Sequence, residues 1–395
     1  MDLRNIFNPF LIYVWGFFAS LLAYQLPWSE YYPLISIEIV LFFTTSFIFY
    51  FFTFKITHPI FKFNEKYKIY KINEKKYFLI VAILVFVNFS YMGKLPFLSS
   101  IYEYNYRSKE DNVMPFFYPL MIGAAYFFGC RFFVNYVCKG GVLSLFYSVA
   151  MIVPAIAFVQ RGMAFSQLVT YMIIYIFTKK HISMKKIAVS ILIIFFVMYI
   201  FGALGGVRDS GGAYYRPITE MAGASENFYN SGVSENIFYF WVYFTSPLAN
   251  LVENTSKNVS GVGGELNDFV AFVYSELILD TISKRIVDID YLIDSYYDVR
   301  IVDTLNVGTM YTRAYSYFGW IGMIIMSFYY AWFIVFYLLI IRNVEQENSE
   351  FFIIGMAMLS NLSLMMVFDN MLSNSARIFP LIINMAFVFF ARREL

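Results

Sequence analysis

Long apolar blocks recur along this chain, separated by short polar connections and, once, by a long polar stretch over residues 205–312. About 20 apolar residues in a helix cross the roughly 30 Å hydrocarbon core of a bilayer. On that measure the pattern predicts spans near 9–26, 33–54, 77–93, 114–136, 142–159, 163–178, 187–204, 316–341, 351–369 and 377–391. The expected fold class is an all-α polytopic membrane protein of about ten transmembrane helices with one large periplasmic loop. Three regions follow: an N-terminal membrane bundle over 1–204, the loop over 205–312, and a C-terminal membrane bundle over 313–395.

The loop has its own pattern. Ile237–Leu251 is rich in Phe, Tyr and Trp but short and polar-ended for a span. Leu266–Ile282 repeats apolar residues at helical spacing, with Asp268, Glu276 and Asp280 elsewhere on the surface. Short helices, lying on the outer leaflet or packed across the bundle mouth, are expected here. Gly205–Gly206, Gly211–Gly212 and Gly261–Gly264 mark hinges or tight turns.

Charge gives the pattern a direction. The connection 55–76 carries seven lysines, Lys55, Lys62, Lys66, Lys68, Lys71, Lys75 and Lys76, and basic residues accumulate on the cytoplasmic side. With ten spans both termini are then inside, beside Arg4, Arg392 and Arg393, and so are Lys139, Lys179, Lys180, Lys185, Lys186 and Arg342. Sixteen of the 29 Lys and Arg fall inside and twelve outside, with Arg131 at a span end. The loop over 205–312 falls outside, with 14 acidic and six basic residues.

Composition agrees. The chain is 60% hydrophobic, 22% aromatic and 14% charged, with a mean hydropathy of +0.61, against about 25% charged residues in soluble chains. Residues 9–26 are apolar enough to stay as a span, and no good cleavage site follows, so no signal peptide is expected. Cys130 and Cys138, eight residues apart at one span end, read as packing residues rather than a disulfide or metal pair.

Candidate chemistry lies on the outer side. Arg161 sits in the tight Gln160-Arg161-Gly162 turn, Arg208 follows Gly205-Gly206-Val207, and Arg216 lies just beyond. Arg313 begins the eighth span and Arg377 opens the tenth, so all five would stand near one depth. A guanidinium stays charged and its fork matches phosphate oxygens. Snorkelling, or pairing with Asp209, Glu220 or lipid phosphate, is the competing role. Asp209, Glu220, Glu226, Glu235, Glu253 and Asp303 are candidate bases for an attacking hydroxyl, in a loop whose acids mostly form a solvated face. Asp369 and Glu38 lie at span ends, and an Asp369–Arg377 ion pair is expected. Both histidines, His58 and His181, fall on the inner side, so the outer side has no His base and no thiolate. No ATP-binding loop, cofactor motif or metal set is expected.

Taken with the ten-span layout, the Gln160-Arg161-Gly162 turn, Gly206-Val207-Arg208, Asn306-Val307-Gly308 and Tyr317-Phe318-Gly319-Trp320-Ile321-Gly322 resemble the bacterial O-antigen polymerases, the Wzy-type oligosaccharide repeat-unit polymerases. The resemblance implies a glycosyltransferase of the bacterial inner membrane that joins undecaprenyl-pyrophosphate-linked oligosaccharide repeat units at the periplasmic face. It implies partners among membrane lipid and a chain-length regulator, and no nucleic acid. Arg161 and Arg208 map onto the family's functional arginines, Arg313 and Arg377 less directly. In the expected mechanism Arg161, Arg208 and Arg313 act on the pyrophosphate with Asp209 or Glu226 as base, while Arg216 and Arg377 bind substrate. The related O-antigen ligases are expected to carry a loop histidine, and this loop has none. A lipid-linked oligosaccharide flippase and a membrane acyltransferase remain the alternatives. Reporter fusions at Lys71 and Asn258 should report opposite compartments, and one compartment for both would overturn the sidedness.

Overall fold

The computed structural model describes residues 3–61, 69–70, 72–93, 114, 116–158, 160–179, 185, 188–189, 192, 196, 217–260, 265–287, 299–302, 305–344 and 350–393. The predicted span 187–204 lies outside them but for isolated positions, and Arg208, Asp209 and Arg216 lie outside altogether. Among the described residues every regular element is helical, and the one β-type pairing is an isolated bridge from Ser29 to Ala224. Helices are what an apolar chain can form when each segment must satisfy its own backbone.

The first half supplies α1 (Pro9–Tyr24), α2 (Ile37–Thr57), α3 (Glu74–Met92), α4 (Phe117–Lys139), α5 (Val142–Ala150), α6 (Val153–Ala157) and α7 (Arg161–Thr178). Polar residues in the short connections start them. Asn8 caps Phe10 N of α1 at 3.0 Å, with Pro9 at the first helical position, and Asn73 caps Lys76 N of α3 at 3.1 Å. The span predicted over 142–159 is broken at Met151–Ile152, because Pro154 has no N–H to continue the ladder. The loop supplies α8 (Glu235–Ser256), α9 (Glu265–Phe272) and α10 (Asp280–Ile286), and the last part α11 (Thr312–Val344), α12 (Glu350–Met365) and α13 (Ser375–Arg393).

Apolar helices thus stand at nine of the predicted spans, and four of them, α2, α3, α4 and α11, are long and apolar enough to cross a membrane. α4 is the hub, packed by α3, α5, α7, α12 and α13. By contrast α2 and α3 bury only 22% and 11% of their most apolar windows within the protein. Leu41, Phe52, Ile56, Ile83 and Phe86 stay exposed on them. A helix this apolar with so little protein cover matches lipid rather than water as its solvent.

α11 departs most from the expected span at 316–341. It starts at Thr312 and folds back at Phe318 (φ −131°, ψ 16°) and Gly319 (φ 57°, ψ −140°). The arms over 312–317 and from 320 onward run side by side: the Tyr311 hydroxyl lies 3.0 Å from Ser327 Oγ, whereas a straight helix would set residues this far apart in the chain about 24 Å from each other. Gly319 takes a backbone conformation that side chains disfavour. Gly322 lets the arms touch, since a Cβ there would clash with the Ala314 carbonyl oxygen. The irregular chain leading in is supported by α8. Asn250 Nδ2 donates to the carbonyls of Leu305 (2.7 Å) and Val307 (2.8 Å), its Oδ1 accepts from Ile301 N (3.0 Å), and Asn254 Nδ2 donates to Val299 O (2.7 Å). Buried backbone groups outside helices need such partners.

The loop departs from expectation in one place. The aromatic run at Ile237–Leu251 is not a short helix but part of the 22-residue α8, packed on the bundle with Phe238, Trp241, Val242, Thr245, Leu248, Ala249 and Val252 buried at helical spacing. Its first half lies along α1, where Trp241 Nε1 donates to Ala23 O at 2.8 Å, and Thr245 meets the Tyr32 hydroxyl at 2.9 Å. The periodic stretch Leu266–Ile282 forms short helices as expected, α9 running into a π-helical turn, Val273–Leu277, before α10.

At the end of the bundle away from the loop, Arg131, read from the sequence as lying at a span end, is fully buried. Its Nη2 lies 2.6 Å from Glu350 Oε1, with exposures of 1% and 0%. Arg131 also donates to Tyr70 O, and Tyr70 N donates to Glu350 Oε1, so the pair ties the 69–70 segment to α4 and α12. Cys130 is buried and Cys138 exposed, and neither is in a disulfide. Arg131→Met alone should cost about 3–5 kcal/mol by leaving Glu350 an unpaired buried charge, and Arg131→Met with Glu350→Leu should regain most of it. Thermal unfolding in detergent checks this, and a double variant no more stable than the single would refute it.

Candidate functional site

At the loop end the chain turns from α12 into α13 over 366–374, and the candidate site is built around this turn. Asn374 begins α13, its side chain accepting from Arg377 N at 3.2 Å. That cap places Arg377 in the first turn, facing α7. Its guanidinium is 7% exposed. Nη1 donates to Ser166 Oγ and Nη2 to Gly162 O at 3.1 Å.

Both partners are neutral. The expected ion pair to Asp369 does not form: Asp369 Oδ1 accepts the Asn370 N–H at 2.8 Å instead, and no carboxylate among the described residues pairs with Arg377. A buried charge with only neutral partners is costly and is relieved by an anion. Gly162 is exposed and belongs to the first turn of α7, which begins at Arg161. A helix start adds partial positive charge at the same place.

Arg313 approaches from another element. It stands on the first arm of α11, 40% exposed, with Nη1 3.9 Å from Glu276 Oε1. Glu276 is buried in the π-helical turn, and Asn370 Nδ2 donates both to its Oε2 (2.9 Å) and to its main-chain carbonyl (2.7 Å). Burial pushes the Glu276 carboxyl above its usual range, against the opposing pull of Arg313. α10 is fastened to the same turn. Asp280 Oδ1 accepts from Ser375 N at 3.1 Å and from the Ser375 hydroxyl, while Asp280 N donates to Ser373 O at 2.8 Å.

The structure therefore brings Arg313, Arg377 and the backbone of Arg161 to the turn between α12 and α13, while the Arg161 side chain lies outside the described residues. Arg208, Asp209 and Arg216 also lie outside them. Glu226 is not brought to this cluster. It is exposed and opens the short helix Glu226–Asn230, capped by Ser225, in the satellite core of Trp28, Phe228, Phe238 and Trp241. Among the described residues no three of His, Cys, Asp and Glu gather as a metal set.

Three residues of the cluster escaped the sequence reading as site residues: Ser166, Glu276 and Asn370. Glu276 was one acid among 14 in the loop, expected on its surface, and its partner Asn370 is 94 positions away. No local signal marks either. No family model, curated protein or solved structure matches this chain.

Arg377→Met removes a charge without orphaning a carboxylate, so it should destabilise less than Arg131→Met, by about 1–3 kcal/mol for two lost hydrogen bonds. Melting of the two variants side by side checks this, and an equal or larger loss for Arg377→Met would mean that a counter-charge holds it.

Proposed function

We propose that this chain is a polymerase of lipid-linked oligosaccharide repeat units, working at the outer, periplasmic end of a bundle of about ten spans with both termini inside. The observation that supports it best is the buried Arg377 guanidinium with neutral partners, set beside the start of α7 and sharing its turn with Arg313. Such a site suits a group with several negative oxygens, and the pyrophosphate of an undecaprenyl-linked donor has them. The motif resemblance, in which Tyr317–Gly322 and Asn306–Gly308 turn out to be the fold-back of α11 and its approach, supplies the reaction class.

In this reading the growing chain hangs from its lipid pyrophosphate, held by Arg377 and Arg161 and met by Arg313. A hydroxyl of the incoming repeat unit attacks the anomeric carbon, and the bond from that carbon to the phosphate oxygen breaks. The guanidinium groups stabilise the charge gathering on the departing pyrophosphate. The hydroxyl proton leaves to a loop carboxylate or to solvent. The phosphate-linked sugar supplies the energy, so neither nucleotide nor ATP is needed, and the reading assigns no metal.

Purified protein in lipid nanodiscs, given lipid-linked repeat unit in EDTA, should build a ladder. Arg161→Ala, Arg208→Ala and Arg377→Ala should abolish it at normal protein level, and Lys at these positions should rescue poorly because it lacks the fork. Full activity of the alanine variants removes the arginines from the site. A ladder that stops in EDTA and returns with Mg²⁺ sinks the metal-free mechanism. In cells, a deletion strain with one repeat unit on its lipopolysaccharide core fits a polymerase, and one with none fits a flippase or a ligase.

A further inference from the structure

The helix face that receives Arg377 is itself held one turn further in, by a phenol that the reaction above does not use. Gly162, Ser166 and Thr170 recur at four-residue spacing and so share one face of α7. The first two supply the acceptors of Arg377, the Gly162 carbonyl and the Ser166 hydroxyl. The third meets another helix: Thr170 Oγ1 lies 2.6 Å from the Tyr126 hydroxyl of α4. That hydroxyl also accepts from Asn361 Nδ2 of α12 at 3.0 Å. Ser166, Thr170, Tyr126 and Asn361 are all buried, whereas Gly162 is exposed.

α4 also seats the helix that carries the arginine. Gly123, one turn before Tyr126, has no side chain where α13 packs on α4, and a Cβ there would press on Phe379 and Pro380. One helix therefore fixes α13 just after Arg377 and α7 just after Ser166, and the Arg377 side chain spans the distance between them. The span has little slack. Sliding α7 by one residue moves it about 1.5 Å, more than a hydrogen bond tolerates. A guanidinium is planar, so pinning one hydrogen on each terminal nitrogen fixes the direction of all the others. Asp369 acts on Arg377 only from a longer distance and binds the Asn370 N–H, so it does not set that direction.

We propose that Tyr126, steadied by Asn361, is a positioning residue for Arg377. Through Thr170 it fixes the register of α7, so that Gly162 and Ser166 hold the guanidinium plane in the orientation that meets an anionic substrate. The nature of the anion, a lipid pyrophosphate, rests on the reading given above; the register lock itself rests on the geometry.

Binding of radiolabelled undecaprenyl pyrophosphate to the full chain in lipid nanodiscs tests it. Tyr126→Phe and Thr170→Val each remove a hydroxyl and little else. Each should weaken binding about tenfold, and the two together no more than one alone, as for groups acting through one contact. Thr170→Ser keeps the hydroxyl and should bind as the wild type does. In an Arg377→Lys chain, which lacks the fork, Tyr126→Phe should cost nothing further. Unchanged binding in Tyr126→Phe overturns the proposal, and so do losses that add, or an equal loss in Thr170→Ser and Thr170→Val. A Tyr126→Phe loss as large in the Arg377→Lys chain as in the wild type also overturns it, since a general loosening of the bundle acts whatever stands at that position. Wild-type protein that ignores the probe would instead sink the polymerase reading. The register lock is then decided by melting in detergent: a smaller shift for Tyr126→Phe in an Arg377→Met chain than in the wild type upholds it, and additive shifts overturn it.

Discussion

The contact between the Ala314 carbonyl and the bare face of Gly322 is what the rest of the loop end depends on. It lets the two arms of α11 lie together, and each arm then positions something. The chain entering the first arm carries Tyr311 into a buried hydroxyl set with Tyr13, Ser46 and Ser327. The first arm itself holds Arg313 opposite Glu276 and Tyr317 against Ser275. Trp320, just past the bend, packs edge-on against Tyr315 at 5.5 Å. A straight helix over the same residues would be a plain span, with its arginine at the end and no carboxylate to face. The fold-back is tolerated because Asn250 and Asn254 of α8 bond the non-helical chain that feeds it.

Two buried arginines show how the same residue type serves opposite ends. Arg131 has its charge matched by Glu350 and its reach used to tie a connecting segment to two helices. Taking both charges out of water is costly, and mutual attraction offsets that cost. Arg377 is as well buried, yet its partners are a hydroxyl and a carbonyl. No carboxylate among the described residues forms a direct ion pair with it, and Asp369 acts on it only from a longer distance. The first arrangement is complete by itself, whereas the second gains from an anion. That asymmetry puts the weight of the functional argument on the loop end.

The loop is better understood as part of the bundle than as a cap above it. α8 lies along α1, its satellite core of Trp28, Phe228, Phe238 and Trp241 is shared with the connection after α1, and α9 packs on α11. The π-helical turn and α10 are bonded to the turn between α12 and α13. A disturbance in the loop therefore reaches the arginine turn through direct bonds.

The helical class, nine of the apolar helices and the placing of Arg313 and Arg377 at helix starts were legible in the residue pattern. Apolar length is demanded by bilayer thickness, and a lone arginine at a span end is conspicuous against apolar neighbours. Gly319 and Gly322 were visible as letters, but their use depends on a carbonyl eight residues back meeting the second of them. The span over 142–159 was legible as one apolar block, and its break at Met151–Ile152, before Pro154, was not. Glu276 and Asn370 could not have been singled out, because each is ordinary in its own stretch and acquires meaning from the other across the fold. The expected Asp369–Arg377 pair was plausible by spacing and lost to geometry: the start of α13 turns the guanidinium toward Ser166 and Gly162. What the sequence determined by itself was the solvent of each segment, since hydrophobicity is a property of residues taken one at a time. Which charges are matched and which are left open was decided only by tertiary structure, since a counter-charge is a relation between residues far apart in the chain.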